Sequence, residues 1–94
     1  MSIEPHETEI VGAWKVKSGR VVNDDACQRV WDLMTTYLIS IKPASDGWEH
    51  LYRDPHDGRY WERTFPHGKM QAGGPPALRL IDPVAAAQKY GLRE

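Results

Sequence analysis

The side chains with the most chemical potential lie on a predicted pair of strands in the second half of the chain. In the register that we favour, His50 faces Glu62 across the pair, and the cations Arg53 and Arg59 lie nearby. A small ribonuclease uses these types: an acid, a base and a cation for the phosphate. Because paired histidine and charged side chains are also common on sheet surfaces, we predict no catalytic residue. RNA cleavage by His50, Glu62 and Arg59 is kept as the alternative function.

Other groups capable of chemistry have simpler explanations. His6, Glu7 and Glu9 could hold a metal ion, but nothing there fixes their geometry, and we predict no metal site. Cys27 is the only cysteine, so the chain forms no internal disulfide and a reducing compartment is indicated. It lies on the apolar stripe of a predicted helix, where we expect an inert core residue.

Two aromatic-rich strands, 48–53 and 59–65, carry the ribonuclease-like residues on either side of the loop 54–58. Asp57-Gly58 is a strong hairpin signal, and the aspartates of the loop favour turn chemistry because they cap their own backbone. One face of this ribbon must be core. The other would present tryptophan, tyrosine and arginine to solvent, the types that dominate the energetics of protein interfaces.

Two registers are open for this hairpin. Taking 54–58 as the loop pairs Leu51 with Trp61. A two-residue turn at its Asp-Gly pair would instead pair Arg53 with Glu62 and would force a proline into the ladder. We favour the first register, because proline has no N–H to donate to a ladder.

The first half of the chain predicts another hairpin. Residues 10–17 end in an alternating pattern with Trp14 and Val16 on one side, which predicts a half-buried strand. Ser18-Gly19 is a turn signal, and residues 20–22 form a short return strand.

The strongest helix signal covers residues 24–38, after the capping candidates Asn23-Asp24-Asp25. Its apolar stripe needs a sheet to bury it, and we predict Trp31 against that sheet. Residues 39–41 either continue the helix or turn extended, and Pro43 ends it in both cases. The stripe comprises Cys27, Val30, Trp31, Met34, Tyr37 and Leu38.

The C-terminal part predicts a loop over 66–76, a strand over 78–81 and a short helix over 84–90. Asp82-Pro83 supplies a cap and a first-turn proline, and Gly91 a stop. The resulting order predicts an α+β fold. We expect a mainly antiparallel sheet of hairpins packed against one main helix, plus a short C-terminal helix.

Composition sets the broad class. The chain has 94 residues, 40% hydrophobic and 27% charged, which predicts one globular domain over 1–94, with 1–8 as a flexible tail. The net charge is −1, and its halves differ too little for a protein that follows phosphates, so we predict no nucleic acid partner. No apolar run approaches the ~20 residues of a membrane span, and the start lacks a signal peptide pattern. We expect no membrane association and a cytoplasmic location.

The stretch from Trp48 to Pro66, followed by Gly73-Gly74-Pro75-Pro76 and a strand, resembles the immunity protein 27 family. These are small bacterial immunity proteins encoded beside the toxins of polymorphic toxin systems. The segments 11–14 and 21–24 are also similar to the start of the family, so that the resemblance covers roughly residues 9–90. The chain departs from the pattern at Gln71-Ala72, where the family has histidine and glycine, and at Arg63, where it often has an apolar residue.

The resemblance implies an antidote that binds a cognate toxin domain, blocks or distorts its active site and needs no cofactor. We expect a monomer when free. Contacts that set partner choice would lie in the 67–72 loop, the N-terminal acids or the exposed helix face. The partner-binding residues that we predict from the resemblance are Trp48, Glu49, Arg53, Asp54, Asp57, Arg59, Trp61, Glu62 and Gln71.

Overall fold

The computed structural model describes residues 3–45, 47–66 and 74–92. Five strands form an antiparallel sheet in the order β1-β7-β6-β5-β4, and β2 pairs with β3 in a separate hairpin. The predicted α+β class is therefore confirmed. The elements are β1 (Glu9–Val11), β2 (Trp14–Lys17), β3 (Arg20–Asn23), α1 (Asp25–Thr36), β4 (Ile39–Pro43), β5 (His50–Arg53), β6 (Tyr60–Thr64), β7 (Ala77–Ile81) and α2 (Pro83–Tyr90).

Both helices begin at the caps that the sequence predicts. Asp24 accepts a hydrogen bond from the N–H of Cys27 at 2.7 Å and starts α1. Asp82 accepts from the N–H of Val84 at 2.9 Å and starts α2, which ends at Gly91 in the left-handed region, with φ of 66°. Short polar side chains satisfy amide groups that the first helical turn leaves without partners, so these boundaries are local properties of the sequence.

The sheet buries both of its faces. Against α1 it packs Tyr52, Trp61 and Leu78 in one core, and Ile39 onward is extended as β4. On the opposite face, Leu51 packs against Ala86 and Tyr90 of α2. The prediction that the other face of the β5–β6 ribbon shows its aromatic side chains to solvent fails for Tyr60, which packs against the core on the α2 side, whereas Trp48 is 53% exposed.

The buried face of α1 differs from the predicted one at two positions, Trp31 and Leu33. Cys27, Val30 and Leu33 have no exposed surface, whereas Trp31 is 37% exposed. Successive helical residues are about 100° apart, so the turn that buries Val30 and Leu33 carries Trp31 to the rim of the contact. The prediction of Trp31 against the sheet is therefore wrong, and Leu33, absent from the predicted stripe, takes the central place.

Neither predicted register of the β5–β6 hairpin is correct. Tyr52 pairs with Trp61, and the N–H of Asp54 donates to the carbonyl of Arg59 at 2.8 Å, which leaves a four-residue loop over 55–58. The five-residue loop that we favoured differs from this by one residue. Such a shift moves a side chain to the other face of the sheet, so the predicted partners Leu51 and Trp61 lie on opposite faces.

The predicted first strand is split at Gly12. The N–H of Gly12 donates to the carbonyl of Pro76 at 3.0 Å, and an added Cβ would lie 2.5 Å from that oxygen. β1 therefore ends at the sheet edge, and the chain leaves it to form the β2–β3 hairpin. Val16 is 74% exposed on this hairpin, so the prediction of a half-buried strand over 10–17 is wrong for this part.

The N-terminal residues that the structure describes lie against the domain. Ile3 is 5% exposed within the α1-side core. Glu7 forms two hydrogen bonds with the guanidinium of Arg29, at 2.6 and 2.7 Å. A flexible tail over 1–8 remains a prediction. In the described part of the chain, neither helix is long and apolar enough to cross a membrane.

Candidate functional site

The predicted partner-binding residues do not form one patch. Trp48 and Glu49 lie just before β5, while Arg53, Asp54, Asp57 and Arg59 surround the loop at its other end. Six residues of extended chain place these two ends roughly 20 Å apart. Trp61 and Glu62 lie between them inside the domain, and Gln71, with the 67–72 loop, lies outside the described residues.

Glu62 is an acid with no exposed surface, held by three donors. Arg79 donates to Oε1 at 3.0 Å, while Lys89 and the hydroxyl of Tyr90 reach Oε2 at 2.7 and 2.8 Å. Burial alone would raise the pKa of Glu62, but the hydrogen bonds from Lys89, Tyr90 and Arg79 hold it below its usual value. A side chain without exposed surface cannot contact a partner of the folded domain, so Glu62 acts through the fold.

Lys89 joins α2 to the sheet through two carboxylates. Its Nζ lies 2.6 Å from Glu49 and 2.7 Å from Glu62. Burial lowers the pKa of Lys89, and these two hydrogen bonds more than offset the effect, so that the pKa lies above its ordinary value. Sequence reasoning missed Lys89, Tyr90 and Arg79. Only the β6–β7 register, which pairs Glu62 with Arg79, could have indicated one of them.

The loop between β5 and β6 is held by its own side chains, as the turn interpretation predicts. Asp54 Oδ1 accepts from the N–H of His56 at 2.8 Å and from the hydroxyl of Tyr37 at 2.6 Å. Burial and this bond raise the pKa of Tyr37 to about 12. Asp57 accepts from the N–H of Arg59 at 2.9 Å, and Gly58 has a φ of 78°, in the region that favours glycine.

Arg59 fastens the N-terminal segment to the hairpin. Its guanidinium donates to Asp57 at 2.6 Å and to the backbone carbonyls of Glu4 and Glu7 at 3.1 and 3.0 Å. The same group lies 5.2 Å from the ring centroid of Trp61, which adds a cation–π contact. These contacts occupy the guanidinium within the chain, so its first role is structural.

The residues of the ribonuclease alternative are not assembled. His50 pairs with Arg63, and strand alternation places its side chain on the opposite face of the sheet from Glu62. The Nε2 atom of His50 lies 2.7 Å from Ser40 Oγ. Burial, and then the charge of Arg63, lowers the pKa of His50. The predicted cross-strand pair of His50 and Glu62 is wrong, for the same one-residue register shift described above.

A groove of about 800 Å³ lies on the face of the sheet that α2 covers, in the part that the helix leaves open. Trp48, 53% exposed, lines the groove with its ring edge-to-face against Phe65, at 6.0 Å between centroids. The side chain of Arg79, 58% exposed, also lines it. The groove thus combines aromatic and charged side chains, and its lining is completed by Glu9, Val11, Glu49, Thr64, Pro66 and Ala77.

One comparison with known proteins identifies a relationship. The family model described as immunity protein 27 matches residues 16–82, which is more than half of the chain. No curated protein and no solved structure matches the sequence.

Proposed function

Since this chain belongs to the immunity protein 27 family, we propose that it protects its cell by binding a cognate toxin domain in the cytoplasm and covering or distorting that domain's active site. The chain is an immunity protein by its membership. The observation that carries the proposal is the family match over residues 16–82. Binding alone would neutralise the toxin, so no catalytic step and no cofactor are required.

The groove beside Trp48 supports a protein partner. Tryptophan and arginine are among the side chains most often found at the energetic centres of protein interfaces, and here Trp48 and Arg79 both line the groove. The small apolar side chains of Val11 and Ala77 line it as well. A partner side chain seated there would meet both apolar surface and charged groups, which are combined in many interfaces.

The predicted site residues divide into two roles under this proposal. Trp48, Glu49, Arg53 and Asp57 keep exposed surface and are proposed as toxin contacts, as is Gln71. The remaining positions support those contacts from inside the domain or, in the case of Arg59, by holding the N-terminal segment against the hairpin. They are Asp54, Arg59, Trp61 and Glu62.

Binding can be tested with the toxin domain encoded by the neighbouring gene. Co-expression should restore growth of cells that make this toxin, and the purified proteins should comigrate as a one-to-one complex. Trp48→Ala should weaken binding by about 2 kcal/mol or more if the ring lies at the centre of the interface. Trp31→Ala is the matched control, because it removes another part-exposed tryptophan on the α1 side of the sheet.

Two results would count against the proposal. Failure of the wild-type chain to bind or protect against the toxin would remove the proposed partner. Cleavage of RNA by the purified chain, lost in His50→Ala or Glu62→Gln, would replace binding by catalysis. Equal weakening by Trp48→Ala and Trp31→Ala would leave neutralisation in place but move the interface away from the groove.

A further inference from the structure

The β2–β3 hairpin presents an apolar face to solvent beside the groove. Residues 15–21 are all exposed, and the hairpin lies outside the main sheet. Val16 and Val21 are the most exposed large apolar side chains in the described part of the chain, at 74% and 65%. They are directly paired across the hairpin, and Trp14 lies on the same face, so the three side chains form one strip.

The opposite face of the hairpin is basic. It carries Lys15, Lys17 and Arg20, and residues 14–23 contain no acid. The hairpin therefore has a charge of +3, and because the whole chain carries −1, the remainder carries −4. Positive charge is concentrated on this one projection.

This charge arrangement does not favour the free hairpin. Lys17 lies directly opposite Arg20, and like charges in that position destabilise a strand pair. None of the ion pairs among the described residues involves Lys15, Lys17 or Arg20. A hairpin that served only its own stability would gain from an acid at one of these positions. An external acidic surface would remove the repulsion.

The hairpin is also held in a defined position. Ser18 and Gly19 form its two-residue turn with φ values of 52° and 77°, a geometry whose twist matches that of the strands. At its base, the N–H of Asp24 donates to the carbonyl of Ala13 at 2.9 Å, and the N–H of Ala13 donates to Asp24 Oδ1 at 3.1 Å. A projection fixed in this way loses little conformational entropy on binding.

We propose that the β2–β3 hairpin is a docking arm for the toxin domain. Its valine face enters an apolar depression on the toxin, and its basic face meets acidic side chains beside that depression. This inference rests on the proposed function, which supplies the partner. The arm leaves β1 directly after Val11, which lines the groove, so one partner can cover both surfaces.

The test is a pair of charge reversals in the full chain, measured against the toxin domain encoded by the neighbouring gene. Lys15→Glu with Lys17→Glu should slow association about tenfold or more and weaken its dependence on salt, because charge complementarity acts mainly on the encounter rate. The melting temperature of the free protein should stay equal or rise, because the change places an acid opposite Arg20. Slower association with an equal or higher melting temperature would indicate an interface role, because the loss of a structural role would lower the melting temperature.

Two further variants sharpen the test. Lys42→Glu makes one such charge reversal, half the change of the double variant, on β4 at the opposite edge of the sheet from β1. It should leave association within about twofold of wild type. Val16→Thr keeps a β-branched shape but removes apolar surface. It should speed dissociation several-fold with little change in melting temperature.

Each outcome decides between the two proposals. If wild type binds the toxin and the double reversal binds at the same rate, the docking arm is wrong and the proposed function stands. If wild type does not bind, both are wrong. Binding of a single-stranded RNA oligonucleotide, or self-association in sedimentation, that disappears in the double reversal would assign the arm to nucleic acid or to a second copy and would overturn the inference.

Discussion

Glu62 joins β6, β7 and α2 through a single carboxylate. Its two oxygens receive Arg79, Lys89 and Tyr90, so the acid is buried without an unmatched charge. Removing one partner of such a group costs more than the interaction itself contributes, because the others are left partly desolvated. Glu62, which the sequence analysis predicts as a partner-binding residue, therefore holds the C-terminal helix against the sheet.

We expect Glu62→Ala to lower the free energy of unfolding by about 2–4 kcal/mol, somewhat below the usual cost of breaking a buried ion pair, because Arg79 and Lys89 keep access to water. Urea denaturation would measure this loss. Glu49→Ala is the matched control: it removes the partly exposed acid on Lys89 and should cost less than about 1 kcal/mol. Equal losses in the two variants would contradict a special role for the buried acid.

Gly58 is the second residue with a testable role in stability, because adding a Cβ there should by itself destabilise the protein. Its φ of 78° is strained for a side chain with a Cβ, although no neighbour lies within 4 Å of the place that a Cβ would occupy. Gly58→Val should therefore cost about 1 kcal/mol or more through backbone strain alone, measured as a lower melting temperature. Gly58→Asn should lose much less, since asparagine tolerates this region better. Similar losses for both would point to sterics and away from φ.

At the scale of elements, the two helices lie on opposite faces of one sheet. α1 buries Val30 and Leu33 on one side, and α2 buries Ala86 and Tyr90 on the other. Each helix therefore covers part of one face of the sheet. Under the proposed function, the groove, the loop ends and the projecting hairpin are the candidate contact surfaces among the described residues. The helix boundaries follow from local signals such as Asp24 and Asp82-Pro83, and the sequence predicts them to within two residues. It joined β1 and β2 in one strand and left β4 undecided.

The assignment of the α1 face has a direct test. Leu33→Ala should destabilise the protein by about 2–5 kcal/mol, since it opens a cavity at a fully buried position. Trp31→Ala should cost only about 1–2 kcal/mol, because the ring keeps 37% of its surface exposed. Denaturant melts of both variants measure the difference. A larger loss for Trp31→Ala than for Leu33→Ala would reverse the assignment.

Features that depend on distant partners escaped sequence reasoning. The β5–β6 register depends on the geometry with which Asp54 caps its loop and bonds Tyr37, 17 residues earlier. The break at Gly12 depends on the carbonyl of Pro76. Lys89 reaches Glu62 only because α2 folds back over the sheet. Composition and periodicity carry no information about such long-range contacts. They therefore located most of the helices and strands, but they did not predict which residues of the candidate site lie close together.

At the scale of the whole molecule, charge links the N-terminal segment to the stability of the domain. Both carboxylate oxygens of Glu7 accept hydrogen bonds from Arg29. Chiefly because of these bonds, the pKa of Glu7 falls to about 2 from an ordinary 4.5. Arg59 holds the backbone of the same segment. The N-terminal residues and α1 are therefore joined by a contact that titrates in acid.

We expect the contribution of Glu7 to be complete above pH 4.5 and to disappear as the pH falls toward 2, because a depressed pKa stabilises the ionised folded state. Glu7→Gln should cost about 1–3 kcal/mol at pH 7 and little at pH 2. Melting curves across this range would measure the convergence. Glu4→Gln removes a carboxylate that acts on Arg29 only through its charge, and its melting curves should stay much closer to those of wild type. A constant gap between Glu7→Gln and wild type would contradict the titration.

Cys27 gives the domain a natural reporter of its own opening. The thiol is the only one in the chain, has no exposed surface, and lies under Gly12, where an added Cβ would come within 3.0 Å of its own Cβ. Burial, followed by the charge of Asp24, raises its pKa, which lowers the reactive thiolate fraction further. A thiol reagent can therefore label the native protein only after the contact between the first turn of α1 and Gly12 opens. The rate of labelling measures how often this opening occurs, and no probe has to be introduced by mutation. A bound partner that stabilises the base of the hairpin would lower the labelling rate.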